Sequence, residues 1–313
     1  MIRPSIKRII KDFIRKQLSG HLAFDTSELR LQLGIGHLLA NRSNYKSMRN
    51  LWDAEVSVFS QWGEDGIIDF LLQSIDLSKP RLFEIGAGDF SQCNSRFTLQ
   101  FRNCSAYLVD SNSDLKENLS KYLPAWKSTS NSESLFVTPK NVQDLFHRAK
   151  AFMGGVDVLS LDVDSVDYWI ARQIPLEEVK IAIFEYNPIF GAEKSITVPE
   201  TEVRSRFEIH PTGLIFGASI RAWINLMNSK GFTFVGSNRV GNNAFFVNSS
   251  LSPKVQINLP STSDLYPFVD WRIRDARNRT GTFDFKSPIE IDQILAQMPL
   301  WDLEKNSTTL WKH

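Results

Sequence analysis

The sequence predicts an α/β fold in which an antiparallel hairpin closes a seven-stranded, mostly parallel sheet. From residue 81 onward, short apolar segments typical of strands alternate with segments typical of helices, as parallel strands with helical crossovers require. A second observation is the run Gly241-Asn242-Asn243, whose residue types are typical of a hairpin turn. We expect a helical extension over residues 1–57, a central domain over residues 58–250 and a C-terminal tail over residues 251–313 that packs on the core.

The N-terminal extension begins with a basic amphipathic helix at residues 1–20, where isoleucine and phenylalanine share one face and lysine and arginine occupy the rest. Two interpretations stay open. The helix either attaches peripherally to the inner, anionic face of a membrane, or packs on the protein body or on a second copy. A second helix, rich in leucine, is expected within residues 27–51.

Seven strands and five helices are expected in the central domain. The strands are predicted at residues 82–85, 106–109, 135–138, 156–161, 181–186, 233–236 and 244–247. The helices are predicted at residues 95–101, 113–119, 142–152, 168–172 and 217–229. Five strands with helical crossovers, then a helix and a hairpin, form a Rossmann-like sheet.

Composition and cysteine spacing argue against a nucleic-acid-binding protein and against a zinc site. The chain has 313 residues, of which 42% are hydrophobic and 23% charged, and a formal net charge of +1. This balance argues against nucleic-acid binding, which requires a strongly basic face. The two cysteines, Cys93 and Cys104, lack the paired spacing of a zinc site, so we expect reduced thiols in a cytoplasmic protein.

A glycine turn follows the first predicted strand, in the run Glu84-Ile85-Gly86-Ala87-Gly88. Asp110 ends the second strand, where a carboxylate can accept hydrogen bonds from both ribose hydroxyls of a nucleoside. NAD and S-adenosylmethionine sites share that feature. Ser91 stands where a pyrophosphate-binding turn has its third glycine, and Glu84 suits a cationic ligand, so the pattern favours S-adenosylmethionine.

Polar segments flank this turn on both sides. We expect Gln61 and Asn94, which precede helical segments, to contact the same ligand, although polar residues in such positions also cap helices.

Carboxylates are expected at the carboxyl ends of the fourth and fifth strands, where open α/β sheets bind ligands. Methyl transfer to a hydroxyl requires a base or a metal near the acceptor. The candidates for holding Mg²⁺ through their oxygens are Asp162, Asp164, Glu185 and Asn187. The candidate for the base is His210, in the long connection over residues 188–214. For the acids, helix capping or contact with the methyl donor stays open, and for His210 a place on the polar surface does. The same long connection is expected to bind the acceptor.

Five motifs together resemble the FkbM-like S-adenosylmethionine-dependent methyltransferases, over residues 59–247. They are Ser60-Gln61-Trp62-Gly63-Glu64-Asp65-Gly66, Phe83-Glu84-Ile85-Gly86-Ala87-Gly88-Asp89, Leu159-Ser160-Leu161-Asp162-Val163-Asp164, Phe184-Glu185-Tyr186-Asn187-Pro188 and Gly217-Ala218-Ser219. The resemblance implies a class I methyltransferase fold, S-adenosyl-L-methionine as cofactor, and O-methylation of a sugar, a glycan or a related natural product. Many relatives have Glu-Gly where this chain has Asp164-Ser165.

Two other functions stay open on the same sheet. One is an NAD-dependent oxidoreductase, and the other is a non-catalytic scaffold in glycan assembly.

Overall fold

The computed structural model describes residues 29–38, 48–102, 104–123, 128–203, 205–269 and 285–311. The chain divides into two compact units, residues 1–43 and residues 44–313. In the first unit, residues 29–38 form helix α1. The amphipathic helix expected at residues 1–20 lies outside the described residues. Among the helices that are described, none combines the length and the apolar character that a membrane crossing requires.

The second unit is built on a seven-stranded sheet, as predicted. Its strands are β1 (Arg81–Ile85), β2 (Ser105–Asp110), β3 (Thr129–Ser134), β4 (Val158–Leu161), β5 (Ile181–Glu185), β7 (Phe232–Ser237) and β8 (Asn243–Asn248). The strand order is β3-β2-β1-β4-β5-β8-β7. The first five strands are parallel, and β8 pairs antiparallel with both β5 and β7. The predicted fold class is therefore confirmed.

Helices cover both faces of this sheet. The helices described in this unit are α2 (Glu64–Ser74), α3 (Ser95–Phe101), α4 (Leu115–Tyr122), α5 (Val142–Met153), α6 (Asp167–Gln173), the short α7 (Arg206–Ile209), α8 (Ile220–Ser229) and α9 (Pro288–Gln297). Because side chains alternate along a strand, Phe83 of β1 belongs to the core on the face with α5, α6 and α8. Its neighbour Leu82 belongs to the core on the other face, with α2, α3 and α4. Strands buried on both faces are mostly apolar, which is why most of them were predictable.

The prediction for the third strand was wrong. The strand is β3, not residues 135–138, and it is the polar run Thr-Ser-Asn-Ser-Glu-Ser at the edge of the sheet. An edge strand is paired on one side only and is partly exposed, so its side chains need not be apolar. The apolar residues 135–138 follow β3, and Val137 among them is buried in the core.

A second, smaller sheet includes part of the long connection between β5 and α8. Strand β6 (Ile196–Thr197) pairs with β9 (Pro299–Asp302), which pairs with β10 (Ser307–Leu310). The connection is also tied to α6, since Trp169 Nε1 donates a hydrogen bond to the Val198 carbonyl at 2.8 Å. These contacts fix the segment that runs beside the carboxyl ends of β4 and β5.

Candidate functional site

The turn after β1 requires glycine at two positions for different reasons. Gly86 has a φ of 90°, and a Cβ atom there would lie 1.5 Å from the carbonyl oxygen of Asp162. Gly88 has a φ of 58°, but a Cβ atom there would meet no atom within 4 Å. Close packing therefore requires glycine at Gly86, whereas Gly88 leaves its surroundings open to a ligand.

The carboxylate of Asp110 is held at the end of β2 by two backbone groups. Gly88 N donates to Oδ2 at 2.8 Å, and Asn112 N donates to Oδ1 at 2.8 Å. Each carboxylate oxygen can accept further hydrogen bonds, and Asp110 is partly exposed. The side chain is thus a fixed acceptor next to the glycine turn.

Two cavities meet at the glycine turn, and Gln61, Gly86, Gly88 and Asp162 line both of them. One, of about 370 Å³, we call the Asp110 cavity. Its other lining residues are Ile85, Val109, Asp110, Ser111, Leu135, Phe136, Val137, Val163, Asp164 and Ser205. The other, of about 180 Å³, we call the Glu84 cavity. Its other lining residues are Trp62, Glu64, Glu84, Ala87, Asp89, Ser91, Gln92, Cys93, Asn94, Asn242 and Asn243.

Glu84 is buried and joins the strand to the start of α3. Its Oε1 and Oε2 accept hydrogen bonds from Asn94 N and Ser95 N, both at 2.8 Å. Burial raises the pKa of this carboxyl, while the bonds from Ser95 and Asn94 oppose the rise. The Asn94 side chain donates to Ser160 Oγ at 3.0 Å. Glu84 and Asn94, which were both predicted as site residues, therefore line the Glu84 cavity and also hold its wall in place.

Gln61 closes the edge of this cavity, where its Nε2 donates to Gln92 Oε1 at 2.8 Å. Glu64, which lines the same cavity, was not among the predicted site residues. Glu64 is 1% exposed, and its Oε1 accepts hydrogen bonds from the side chains of Asn238 and Asn243, both at 2.8 Å. The signal in the sequence was an acidic residue directly after Gly63, within a polar motif.

Asp162, Asp164 and Glu185 form a carboxylate cluster, in which one ligand oxygen from each lies within 4.8 Å of the others. Burial raises the pKa of Asp162 well above its usual range, and the charges of Asp164 and Asp167 raise it further. Burial and the charge of Asp162 do the same for the pKa of Glu185. Asp162 and Glu185 also share a side-chain hydrogen bond.

Glu185 is the most buried member of the cluster, at 8% exposure. Its Oε2 has no hydrogen-bond partner within the described part of the chain. Carboxylates that repel one another, of which one is buried and retains an unpartnered oxygen, are chemically suited to a hard cation.

A fourth carboxylate, that of Asp167, holds the loop after β4 through hydrogen bonds from the backbone. Asp167 is fully buried, and its oxygens accept hydrogen bonds from Val163 N at 2.7 Å and from Ser165 N at 3.0 Å. Burial raises the pKa of Asp167 to about 6. Asp164, between those two amides, has a φ of 57° and pairs with Arg206 Nη1 at 3.1 Å. The side chain of Asp164, held on a left-handed backbone, thus joins Arg206 of α7 to the other two acids of the cluster.

Two other candidates from the sequence, His210 and Asn187, form hydrogen bonds within the long connection. His210 follows α7, where its Nδ1 lies 2.8 Å from Thr212 Oγ1, and it lines neither cavity. Partial burial lowers the pKa of His210. Asn187 uses its amide to fasten the long connection, donating to the Leu214 carbonyl at 2.8 Å and the Phe216 carbonyl at 3.1 Å.

No protein-family model matches this sequence, and no curated protein matches it. Among solved structures, the chain is similar to an O-methyltransferase family protein from Burkholderia thailandensis, with 8% identity and a TM-score of 0.34, over 72% of this chain and 57% of that one. It is also similar to a putative O-methyltransferase from Klebsiella pneumoniae, with 15% identity and a TM-score of 0.33, over 57% of this chain and 78% of that one. A third similar structure is the N-terminal domain of EvdMO1 in the presence of SAH and D-fucose, with 9% identity and a TM-score of 0.35, over 56% of this chain and 77% of that one.

This chain thus spans little more than half the length of the Burkholderia protein. Likenesses with TM-scores of 0.33 to 0.35 do not extend an activity or a substrate to this chain. The sheet order, the cavities and the side chains of this chain are the observations that bear on its function.

Proposed function

We propose that the protein is an S-adenosylmethionine-dependent O-methyltransferase. The observation that carries the proposal is the Asp110 carboxylate, fixed by the amide of Gly88 where two cavities meet. It lies at the carboxyl edge of a parallel sheet, which is the edge where open α/β folds bind nucleotides.

The Asp110 cavity suits the adenosine part of the donor. The two ribose hydroxyls would donate to the Asp110 carboxylate, and the apolar side chains of Leu135, Phe136 and Val137 offer surfaces for the purine. The ligand would then pass over Gly88, where no Cβ atom obstructs its path.

The Glu84 cavity suits the methionine part, which carries an ammonium and a sulfonium. Glu64, Glu84, Asp89 and Asp162 give this cavity an acidic lining. The same lining disfavours NAD, because a pyrophosphate is anionic and requires backbone amides or cations around it. Electrostatics therefore favours the sulfonium donor over the dinucleotide.

The transfer moves a methyl group from the donor sulfur to an acceptor oxygen. The carbon–sulfur bond breaks as the carbon–oxygen bond forms, and the hydroxyl proton leaves to a base. Asp162 lines both cavities, so it is placed to receive that proton. A carboxyl whose pKa is raised by burial is a stronger base once ionised.

We further propose that the carboxylate cluster holds Mg²⁺. Asp162, Asp164 and Glu185 would be its ligands, and the free Glu185 Oε2 supports this assignment. A bound divalent cation would acidify and orient the acceptor hydroxyl. Activity should then fall in EDTA and return with added Mg²⁺. Full activity in EDTA would leave the cluster as a metal-free proton acceptor.

For the acceptor, we propose a hydroxyl of a sugar, a glycan or a related natural product, supported by the motifs that resemble FkbM-like enzymes. The experiment that tests the activity compares donors. S-adenosylmethionine should raise the melting temperature, whereas NADH should not, and methyl label should pass to a hydroxylated acceptor. A melting temperature raised only by NADH would favour an oxidoreductase.

A further inference from the structure

A third cavity lies beside the proposed methionine site. It has a volume of about 310 Å³, and it is formed by residues 55–57 and 61–63 together with Arg239 and Val240. We call it the Trp62 cavity. Gln61 and Trp62 line both this cavity and the Glu84 cavity, so they form the boundary between the two. A molecule bound here is therefore next to the position proposed for the methionine end of the donor.

The chemistry of the Trp62 cavity is specific. Trp62 is 40% exposed, so part of its indole ring is accessible to a ligand. Around it stand the Ser57 hydroxyl, the Gln61 amide and the ion pair of Arg239 and Glu55, with Nε 3.6 Å from Oε2. The positive and negative charges balance, so the cavity offers hydrogen bonds without a net charge.

The walls of this cavity are held rigidly. Gly63 packs so closely on Glu55 that a Cβ atom would lie 2.9 Å from the Glu55 Cβ, and the Val56 amide donates to the Gly63 carbonyl at 3.2 Å. One oxygen of the buried Asp65 accepts hydrogen bonds from the amides of residues 58, 59 and 60. A preformed site loses little conformational entropy when it binds a ligand.

We propose that the Trp62 cavity binds the non-reacting part of the acceptor, a neutral, ring-shaped sugar unit. A pyranose has one face of C–H groups, which packs on an aromatic ring, and a rim of hydroxyls, which pairs with amide, hydroxyl, guanidinium and carboxylate groups. The reacting hydroxyl extends past Gln61 and Trp62 toward Asp162. This assignment rests on the proposed function and adds the location of the acceptor, which the sequence had assigned to the connection between β5 and α8.

The test uses the full-length protein with S-adenosylhomocysteine bound. Saturation-transfer NMR measures binding of three neutral probes, methyl β-glucopyranoside, methyl α-mannopyranoside and methyl α-rhamnopyranoside. At least one probe should bind the wild type. Its dissociation constant should rise about tenfold or more in Trp62→Ala and in Arg239→Ala, since one lost stacking or hydrogen-bonding contact is worth about that factor.

Two further variants serve as controls. Trp62→Phe keeps an aromatic ring and should recover part of the binding. Phe152→Ala removes an aromatic ring that is 41% exposed on α5 and lines none of the three cavities, so it should bind the probe as the wild type does. Arg239→Ala should keep its fold, because the Arg239 contact with Glu55 through the backbone amide remains.

Calorimetric titration of S-adenosylhomocysteine separates the two proposals. Normal donor affinity in Arg239→Ala, together with weakened sugar binding, supports the Trp62 cavity as the acceptor site. Two results would overturn the inference and leave the proposed function intact, provided that donor affinity is normal. One is that no probe binds the wild type, and the other is that Trp62→Ala and Arg239→Ala both bind the probe as tightly as the wild type does. No donor binding by the wild type refutes the proposed function, and with it the acceptor role of this cavity.

Discussion

Alanine at Gly88 should damage ligand binding far more than folding. The Gly88 backbone has a φ of 58°, and a Cβ atom there would meet nothing within 4 Å. Alanine in this left-handed conformation costs about 1 kcal/mol, which corresponds to a melting temperature lower by about 2–4 °C. The added methyl group projects where the two cavities meet, so donor affinity should fall about tenfold or more, as loss of about 1.4 kcal/mol of binding would give.

Gly86→Ala is the matched comparison, two residues away on the same turn. Its Cβ atom would lie 1.5 Å from the Asp162 carbonyl oxygen, which is backbone and cannot rotate away. The ends of β1 and β4 would have to separate, at a cost of several kcal/mol, in the range of severe overpacking. We expect Gly86→Ala to be poorly folded or to melt far below the wild type.

Circular-dichroism melts and calorimetric titration of S-adenosylhomocysteine measure both effects. If Gly88→Ala binds S-adenosylhomocysteine as tightly as the wild type does, the placement of the donor over Gly88 is refuted. A melt of Gly88→Ala as low as that of Gly86→Ala would refute the claim that only Gly86 is required by packing.

The remaining predictions concern two side chains, Asp65 of α2 and Arg96 of α3, that contact residues 58–60 just before α2. Burial raises the pKa of Asp65 from 3.8 to about 6, so the folded state holds a proton that the unfolded state loses. This contribution to stability should fall as pH rises from about 4 to about 6, by up to about 3 kcal/mol, and urea unfolding of Asp65→Asn should lack it. Arg96 stacks on Phe59 and Tyr122 at 4.2 and 4.6 Å, so Arg96→Lys should lower the free energy of unfolding by about 1–2 kcal/mol. An unchanged urea midpoint would contradict this role.

Apolar patterning made most of the sheet predictable. Strands β1, β2, β5 and β8 are buried on both faces, and burial of that kind favours mostly apolar residues. The same rule misplaced β3, because an edge strand need not be apolar. The apolar residues after β3 serve instead to line the Asp110 cavity.

Parts of the candidate site depend on contacts distant in the chain, which local patterns do not encode. The position of Asp110 beside Gly88 follows from parallel pairing of β1 and β2, and the sequence anticipated it. Glu64, by contrast, is held by residues 174 and 179 positions later, on the closing hairpin. The contact of His210 with Thr212 depends on how the long connection folds, which no periodicity specifies.

The most direct measurement is the affinity of S-adenosylhomocysteine for the wild type and for Asp110→Ala. The wild type should bind in the micromolar range, about −8 kcal/mol. The variant loses a carboxylate that would accept two ribose hydroxyls, each worth about 1.5–3 kcal/mol, so its affinity should be lower by about 100-fold or more. No binding by the wild type at millimolar ligand, or equal affinity in the two proteins, would contradict the assignment of a methyl-donor site.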